Sequence, residues 1–180
     1  MTRTIPAVVL LALVSGSLLP ACSRPAEPAQ MATVEQLIQQ TESMRTQLNS
    51  MDTNALRHMG SLFEAERPSI EQRFRDTLLP HEAEVLGNYH RAMAERLPRL
   101  MDERRSALGR TDSTLLRLRD LRHDLRNGLL SKNGRRNALA MEQRWNNALR
   151  DELDLVTDHT KALIRERTTY RAAIDSLLRQ

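Results

Sequence analysis

The chain of 180 residues carries 27 basic and 23 acidic side chains, 3% aromatic residues and a single cysteine. Because strands draw on aromatic and β-branched side chains, this composition argues against a broad β-sheet core. One cysteine excludes an intramolecular disulfide framework, and the good helix formers Arg, Leu, Ala, Glu and Gln dominate the sequence, so an all-α fold is expected.

The first predicted element is an apolar segment from Ile5 to Pro20, which follows a positive charge at Arg3. A membrane-spanning helix needs about 20 apolar residues. This run is shorter, and Pro6 and Gly16 interrupt it. The pattern is typical of a secretory signal peptide rather than a permanent anchor.

The segment Leu19-Pro20-Ala21-Cys22 resembles the lipobox of bacterial lipoprotein precursors. The resemblance implies cleavage before Cys22, a lipid on its sulfur and acylation of the new amino end. Ser23, where an aspartate would signal retention at the inner membrane, implies the periplasmic side of the outer membrane. The alternative is ordinary cleavage after Ala21, which would leave Cys22 as a free thiol.

Three segments follow from this interpretation: a signal peptide at 1–21, a lipidated cysteine with a flexible tether at 22–31, and a helical domain at 32–180. The tether contains two prolines and no apolar pattern. We expect it to hold the domain away from the membrane surface.

The first predicted helix begins at Thr33 with the capping box TVEQ and ends at Pro68. Its apolar positions alternate in steps of three and four, which predicts a coiled-coil-like seam continuing through "NSMDTN" at 49–54. The seam comprises Val34, Leu37, Thr41, Met44, Leu48, Met51, Ala55, His58 and Leu62, with Met59 beside it. The sequence leaves open whether this 34–62 helix pairs within its own chain or forms a homo-oligomer.

A second capping box, SIEQ, begins at Ser69, and an apolar pattern that includes Phe74 runs on to Leu108. Pro80 and Pro98 lie inside this pattern, and each should kink or split the helix. The segment "LGRTDS" at 108–113 predicts a turn. A shorter helix should then present Leu115, Leu118, Leu121, Leu125 and Leu129.

Two Asn-Gly pairs within residues 127–136 predict the next turn, and a final helix should run from about Asn137 to Leu178. Its predicted core face comprises Met141, Trp145, Leu149, Leu153, Val156, Leu163, Tyr170, Ile174 and Leu177. The predicted fold is therefore all-α, an elongated bundle of helical hairpins with coiled-coil-like packing.

The basic residues are concentrated in the middle of the chain. Residues 91–136 contain 13 basic and 6 acidic side chains, whereas the remainder after residue 21 contains 13 basic and 17 acidic ones. We favour pairing of this basic centre with acidic helices of the same chain. The alternative is an exposed surface for an anionic envelope partner, with candidate residues Arg117, Arg119, Arg122, Arg126, Arg135 and Arg136.

Motifs that would indicate catalysis or metal binding are incomplete. His81 begins "HEAEV", but Val85 stands where a zinc-protease helix has its second histidine. Asp120 and His123 have the spacing used in di-iron bundles, which need that motif twice. The carboxylates of Asp151, Asp154 and Asp158, about one turn apart, are expected on a solvated acidic face, and Met44, Met51 and Met59 in the core.

The sequence therefore predicts a non-catalytic, lipid-anchored envelope protein without a cofactor or metal, acting as a structural or interaction module through its helical faces. Its partners would be the membrane, through the lipid on Cys22, and an envelope protein or anionic envelope polymer rather than nucleic acid. The alternative function is a periplasmic stress-type chaperone or sensor that binds unfolded chains on an amphipathic helical surface.

Overall fold

The computed structural model describes residues 26–75 and 78–179, and no strand occurs in these two ranges. The helices in chain order are α1 (Pro28–Ser50), α2 (Thr53–Arg73), α3 (Pro80–Arg91), α4 (Leu97–Arg126) and α5 (Lys132–Leu177), with a π-helical turn at Ala92–Arg96. The predicted all-α fold class is confirmed. The predicted signal peptide and Cys22 lie outside the described residues. In the described ranges, each helix is too short or too polar to cross a membrane.

Helix α1 begins earlier than the sequence predicted. Pro28 occupies its first turn, and the backbone N–H of Glu27 donates to the side-chain oxygen of Gln30 at 3.2 Å. This arrangement caps a helix start, since proline lacks the N–H that would be unsatisfied there. The extended tether predicted up to residue 31 is therefore wrong for residues 28–31, and Thr33 lies inside the helix rather than at its cap.

The predicted seam is correct only as far as Leu48. Helix α1 ends at Ser50, and the side chain of Asp52 caps α2 by accepting from the backbone N–H of Ala55 at 2.9 Å. Helix α2 then buries a different set of residues, Leu56, Met59, Phe63 and Ile70, while Ala55 and His58 are exposed. The predicted continuous 34–62 helix is thus wrong, because the break at 51–52 changes the phase. The assignment of the methionines to the core is confirmed.

Helix α2 continues through Pro68, so the predicted helix end there and the restart at Ser69 are wrong. Pro68 is exposed, whereas Ile70, two residues later, is fully buried. Burial of Ile70 requires the helix to continue past the proline, even though the proline removes one backbone hydrogen bond. The helix ends at Arg73, and the predicted core residue Phe74 is 42% exposed.

The two other prolines interrupt the helical path, as predicted. Pro80 is the first residue of α3, after the chain has left α2. Pro98 follows the π-helical turn, where the backbone N–H of Leu97 bonds to the carbonyl of Ala92 five residues earlier. The wider turn lets the chain pass from α3 into α4 beside a residue that cannot donate.

Helix α4 runs without a break through residues 108–113, so the turn predicted there is wrong. Ala107 and Thr111 are fully buried, and the Thr111 hydroxyl donates to the Ala107 carbonyl at 2.7 Å. Packing of this segment outweighs the low helix propensity of its glycine, threonine and aspartate.

A tight turn joins α4 to α5. Gly128 adopts a φ of 64°, which favours glycine, and the Ser131 hydroxyl caps α5 by accepting from the Gly134 N–H at 3.1 Å. The first Asn-Gly pair therefore forms the predicted turn, whereas the second lies in the first turn of α5. Leu129, predicted on the helix face, is 62% exposed in the turn.

Helices α1, α4 and α5 form the body of the bundle. Helix α1 is antiparallel to α4, since Glu35 pairs with Arg122 near one end and Glu42 with Arg119 further along. Helix α5, which is about 69 Å long at about 1.5 Å per residue, returns along α4 and extends beyond it. One core cluster near the α4–α5 turn comprises Val34, Leu37, Ile38, Leu115, Leu118, Leu121, Leu125 and Leu139.

A second, larger core cluster occupies the other end of the bundle, where α2 and α3 join it. The Tyr89 hydroxyl of α3 donates to Glu66 of α2 at 2.8 Å, and Glu66 also pairs with Arg171 of α5 at 2.6 Å. Phe63 meets the Tyr89 ring edge-on at 5.9 Å. These contacts fasten α2 and α3 to the C-terminal half of α5.

A buried polar pair links α1 to α5. Asn146 and Thr41 are both fully buried, and the Asn146 side-chain N–H donates to the Thr41 hydroxyl oxygen at 2.8 Å. The Thr41 hydroxyl in turn donates to the Leu37 carbonyl at 2.7 Å. Because a buried N–H donor without an acceptor costs free energy, this contact favours one register of α1 against α5.

Replacing Thr41 by valine is expected to lower the free energy of unfolding by about 1–3 kcal/mol, because the buried Asn146 amide loses its acceptor. Thr46→Val is the matched control, since Thr46 makes the same type of bond to Glu42 but is exposed. Urea denaturation measures both. The double change Thr41→Val with Asn146→Leu should recover most of the loss, and equal losses in the two single variants would contradict a role for the pair.

Burial and the hydrogen bond to Glu66 raise the pKa of Tyr89 to about 12. In an unfolded chain a tyrosine has a pKa of about 10, so this contribution to stability is complete below about pH 10 and is lost as the pH rises through about 12. We expect Tyr89→Phe to remove this alkaline loss in thermal unfolding measured across that range. Tyr170→Phe, which changes the other tyrosine, is the control and should leave the loss unchanged.

Candidate functional site

Three of the predicted basic residues are paired within the bundle. Their guanidinium groups lie along α4, and each contacts a glutamate of α1 or α5. Glu142 is the most buried of these glutamates, with a side chain that is 8% exposed. The pairs are Arg117–Glu142 at 3.1 Å, Arg119–Glu42 at 3.4 Å and Arg122–Glu35 at 3.3 Å.

The other three predicted basic residues lie at the α4–α5 turn. Arg135 is buried and donates to the Leu130 carbonyl at 3.3 Å. Arg126 and Arg136 are exposed, and neither forms an ion pair with another residue in 26–75 or 78–179. The structure thus does not join the six residues into one surface but divides them between paired and exposed positions.

Internal pairing extends along the rest of α4. Arg110 donates to Glu152 at 2.7 Å, Arg96 pairs with Glu166, and Arg45 pairs with Asp112 at 2.8 Å. Arg104 donates to the Leu48 carbonyl at the end of α1, also at 2.8 Å. The favoured interpretation of the basic centre, pairing with acidic groups of the same chain, therefore describes most of α4.

Two solvent-facing depressions lie between α4 and α5. Their volumes are about 230 Å³ and 260 Å³, the first around Leu100 and His159 and the second around Thr114 and Trp145. Paired arginines line each depression on one side, and α5 lines it on the other. We call the two depressions together the α4–α5 groove.

Trp145 stands in the groove with Arg117 against its ring. The Arg117 guanidinium carbon lies 4.5 Å from the ring centroid, a geometry of cation–π contact. Trp145 is the only tryptophan of the chain and is 43% exposed. The Arg117 guanidinium also donates to Glu142 at 3.1 and 3.4 Å, so one guanidinium contacts both this carboxylate and the ring.

Trp145 belongs to an exposed apolar strip, of which the sequence had assigned Met141 and Trp145 to the core. Met141, Trp145, Ala148 and Leu155 are all exposed, and their spacing places them on one face of α5. We call these four residues the α5 strip. The buried face is displaced from it by one residue, and begins with Leu139, Glu142, Asn146 and Leu149.

The prediction for this part of α5 was wrong because polar residues occupy its buried positions. Counting back in steps of three and four from Leu153 and Leu149 reaches Asn146 and Glu142. When the core face is chosen from apolar residues alone, Asn146 and Glu142 are left out and Met141 and Trp145 are chosen instead. The continuous heptad spacing was the signal that could have located the strip.

Glu103, beside the first depression, has the one clearly lowered carboxyl pKa among residues 26–75 and 78–179. Partial burial acts to raise its pKa, but hydrogen bonds from His159 and Arg99 outweigh that effect and lower it. Nδ1 of His159 lies 3.0 Å and Nε of Arg99 2.8 Å from the carboxylate. Ionised Glu103 thus accepts hydrogen bonds from the His159 ring and the Arg99 guanidinium, a structural role.

The remaining motif residues lie apart on the surface. His81, Asp120 and His123 are exposed, as are the three aspartates at 151, 154 and 158. In residues 26–75 and 78–179, no group of three or more His, Cys, Asp or Glu side chains is arranged to hold a metal ion.

Comparisons with protein-family models, with curated proteins and with solved structures produced no match to this chain.

Because the chain has one tryptophan, its fluorescence reports on the Arg117–Trp145 contact directly. We expect Arg117→Ala to shift the emission to longer wavelength and to increase quenching by acrylamide, since the ring loses the group that covers it. Arg110→Ala is the matched control: Arg110 is an α4 arginine of the same groove that pairs with Glu152. An unchanged spectrum in Arg117→Ala would contradict the stacked geometry.

Proposed function

We propose that this protein is a non-catalytic, lipid-anchored component of a bacterial cell envelope that binds an envelope protein through its α4–α5 groove. The exposed Trp145, held in place by Arg117, is the observation that carries the binding part of the proposal. Tryptophan and arginine are the residues most enriched at the energetic centres of protein interfaces. The lipid anchor rests on the resemblance of Leu19-Pro20-Ala21-Cys22 to a lipobox.

The distribution of charge supports a protein partner over an anionic polymer. Arginines along the groove, among them Arg96, Arg110 and Arg117, already contact glutamates of α5. An anionic polymer would have to displace these carboxylates. Glu152, the partner of Arg110, interrupts the α5 strip, so a protein surface would contact paired charges as well as the apolar side chains, a mixture that is usual in protein interfaces.

The α5 strip would also be the binding surface for the alternative function, a chaperone that binds unfolded chains. A chaperone that binds unfolded chains needs exposed apolar surface, and Met141, Trp145 and Leu155 provide some. On α5, however, charged residues adjoin each of them, which limits the continuous apolar area. We therefore rank specific binding of one partner above binding of many unfolded chains.

The test replaces Trp145 by a photoreactive phenylalanine derivative and cross-links in intact cells. We expect one discrete adduct, because a specific partner would cover the strip. Ile164 is the matched control position, since it is an exposed apolar residue of α5 whose spacing places it outside the strip. The adduct should also be lost in a Cys22→Ser background, where there is no sulfur to acylate.

Three results would count against the proposal. Equal adducts from positions 145 and 164 would show that the strip has no special role. A broad ladder of adducts, together with binding of an apolar dye to the native protein, would favour the chaperone alternative. Retention of the adduct after Cys22→Ser would contradict a need for the lipid.

A further inference from the structure

The end of the bundle at the α4–α5 turn lies next to the predicted lipid attachment site. The backbone N–H of Ala26, the first described residue, donates to the Leu125 carbonyl at 3.0 Å. Cys22 is four residues earlier in the chain. Four residues span at most about 14 Å, at about 3.5 Å each. The covalent chain therefore keeps Cys22 close to this end of the bundle.

Exposed cations are clustered at this end, although exposed arginines without an ion pair in residues 26–75 and 78–179 also occur elsewhere, such as Arg144 and Arg165. Residues 122–136 contain five basic side chains and one acidic one. Arg126, Lys132 and Arg136 are exposed, and none of them forms an ion pair with a residue in 26–75 or 78–179. Lys132 and Arg136 are one helical turn apart, so they lie on the same side of α5.

An apolar side chain lies among these cations. Leu129 is 62% exposed, the largest exposed fraction among the large hydrophobic residues described. It occupies the turn that Gly128 makes with its positive φ, at the tip of the α4–α5 hairpin. We call Arg126, Leu129, Lys132 and Arg136 the tip surface.

Two acidic residues also lie at this end, and they do not balance the cations. Asp124 contacts the His123 ring at 3.3 Å, and Glu27 is exposed at the start of α1. Arg122 is paired with Glu35, so the excess positive charge at the surface comes from the three exposed cations of the tip surface. An exposed apolar residue close in the chain to such cations is a composition that binds an anionic membrane interface.

We propose that the tip surface binds anionic phospholipid headgroups of the bilayer that holds the Cys22 lipid, with Leu129 inserted at the interface. This inference rests on the proposed function, since it takes Cys22 to be acylated. The acyl chains confine the tip surface to the membrane, and electrostatic attraction then sets its orientation. The bundle would stand on its α4–α5 turn, with Trp145 about 20 Å along α5 from the turn, at about 1.5 Å per residue.

The experiment uses the mature lipidated protein carrying Leu129→Cys, in which acylated Cys22 leaves residue 129 as the only thiol. A polarity-sensitive fluorophore on this thiol is followed in vesicles of phosphatidylcholine with and without phosphatidylglycerol. We expect a shift of its emission to shorter wavelength and quenching by a lipid-soluble quencher when phosphatidylglycerol is present. High salt should reverse both effects, because salt screens the attraction.

Ile164→Cys is the matched control, an exposed apolar position about 50 Å along α5 from the turn, at about 1.5 Å per residue. The emission of the fluorophore at this position should not change with lipid composition. The triple change Arg126→Gln, Lys132→Gln and Arg136→Gln, in the Leu129→Cys background, should abolish the response to phosphatidylglycerol while the helical circular dichroism stays the same.

The outcomes separate the two proposals. Mass spectrometry of the purified protein reports acylation of Cys22 independently of the fluorophore. If Cys22 is acylated but the fluorophore on residue 129 keeps the emission it has in water, the present inference is overturned. The proposed lipid anchor is not affected by that result. Unacylated Cys22 would overturn the lipid anchor and this inference with it. A response that persists in the triple variant would overturn the role of the cations.

Discussion

The fold depends on the burial of the leucine face of α4 between α1 and α5. Leu115, Leu118 and Leu125 of α4 are all nearly or fully buried, and the cluster around them takes side chains from both neighbouring helices. With few aromatic residues and no disulfide among the described residues, aliphatic packing is the main source of stability here. This packing keeps α4 helical through a segment with low helix propensity and brings its arginines to the edges of both neighbours.

The position of those arginines determines which charged surfaces of the bundle a partner can bind. Four arginines of α4 meet glutamates of α1 or α5, so charges that are separated in the sequence become neighbours; they are Arg110, Arg117, Arg119 and Arg122. Exposed pairs of this kind contribute little to stability, but they remove cations from the surface that a partner meets. At the α4–α5 turn, Arg126, Lys132 and Arg136 are exposed and form no ion pair with a residue in 26–75 or 78–179.

The two ends and the middle of the molecule present different surfaces. At one end lie the tip surface and the start of α1, where Ala26, four residues after Cys22, bonds to Leu125. The α4–α5 groove with Trp145 occupies the middle, and α2 and α3 thicken the other end through the contacts of Tyr89, Glu66 and Arg171. In the proposed arrangement, the membrane and the protein partner would be bound by different parts of one rigid hairpin, at a separation fixed by the helical rise of α5.

The sequence alone determined the all-α class, the turn at Gly128, the interruptions at Pro80 and Pro98, and the seam of α1 as far as Leu48. These follow from local propensity, backbone stereochemistry and periodicity, which act within a few residues. Only the tertiary structure decided that α2 continues past Pro68, that α4 continues past Gly109, and that Trp145 is exposed while Asn146 is buried. In each of these cases contacts with another helix outweigh the local preference, and the residues that make such contacts are far apart in the chain.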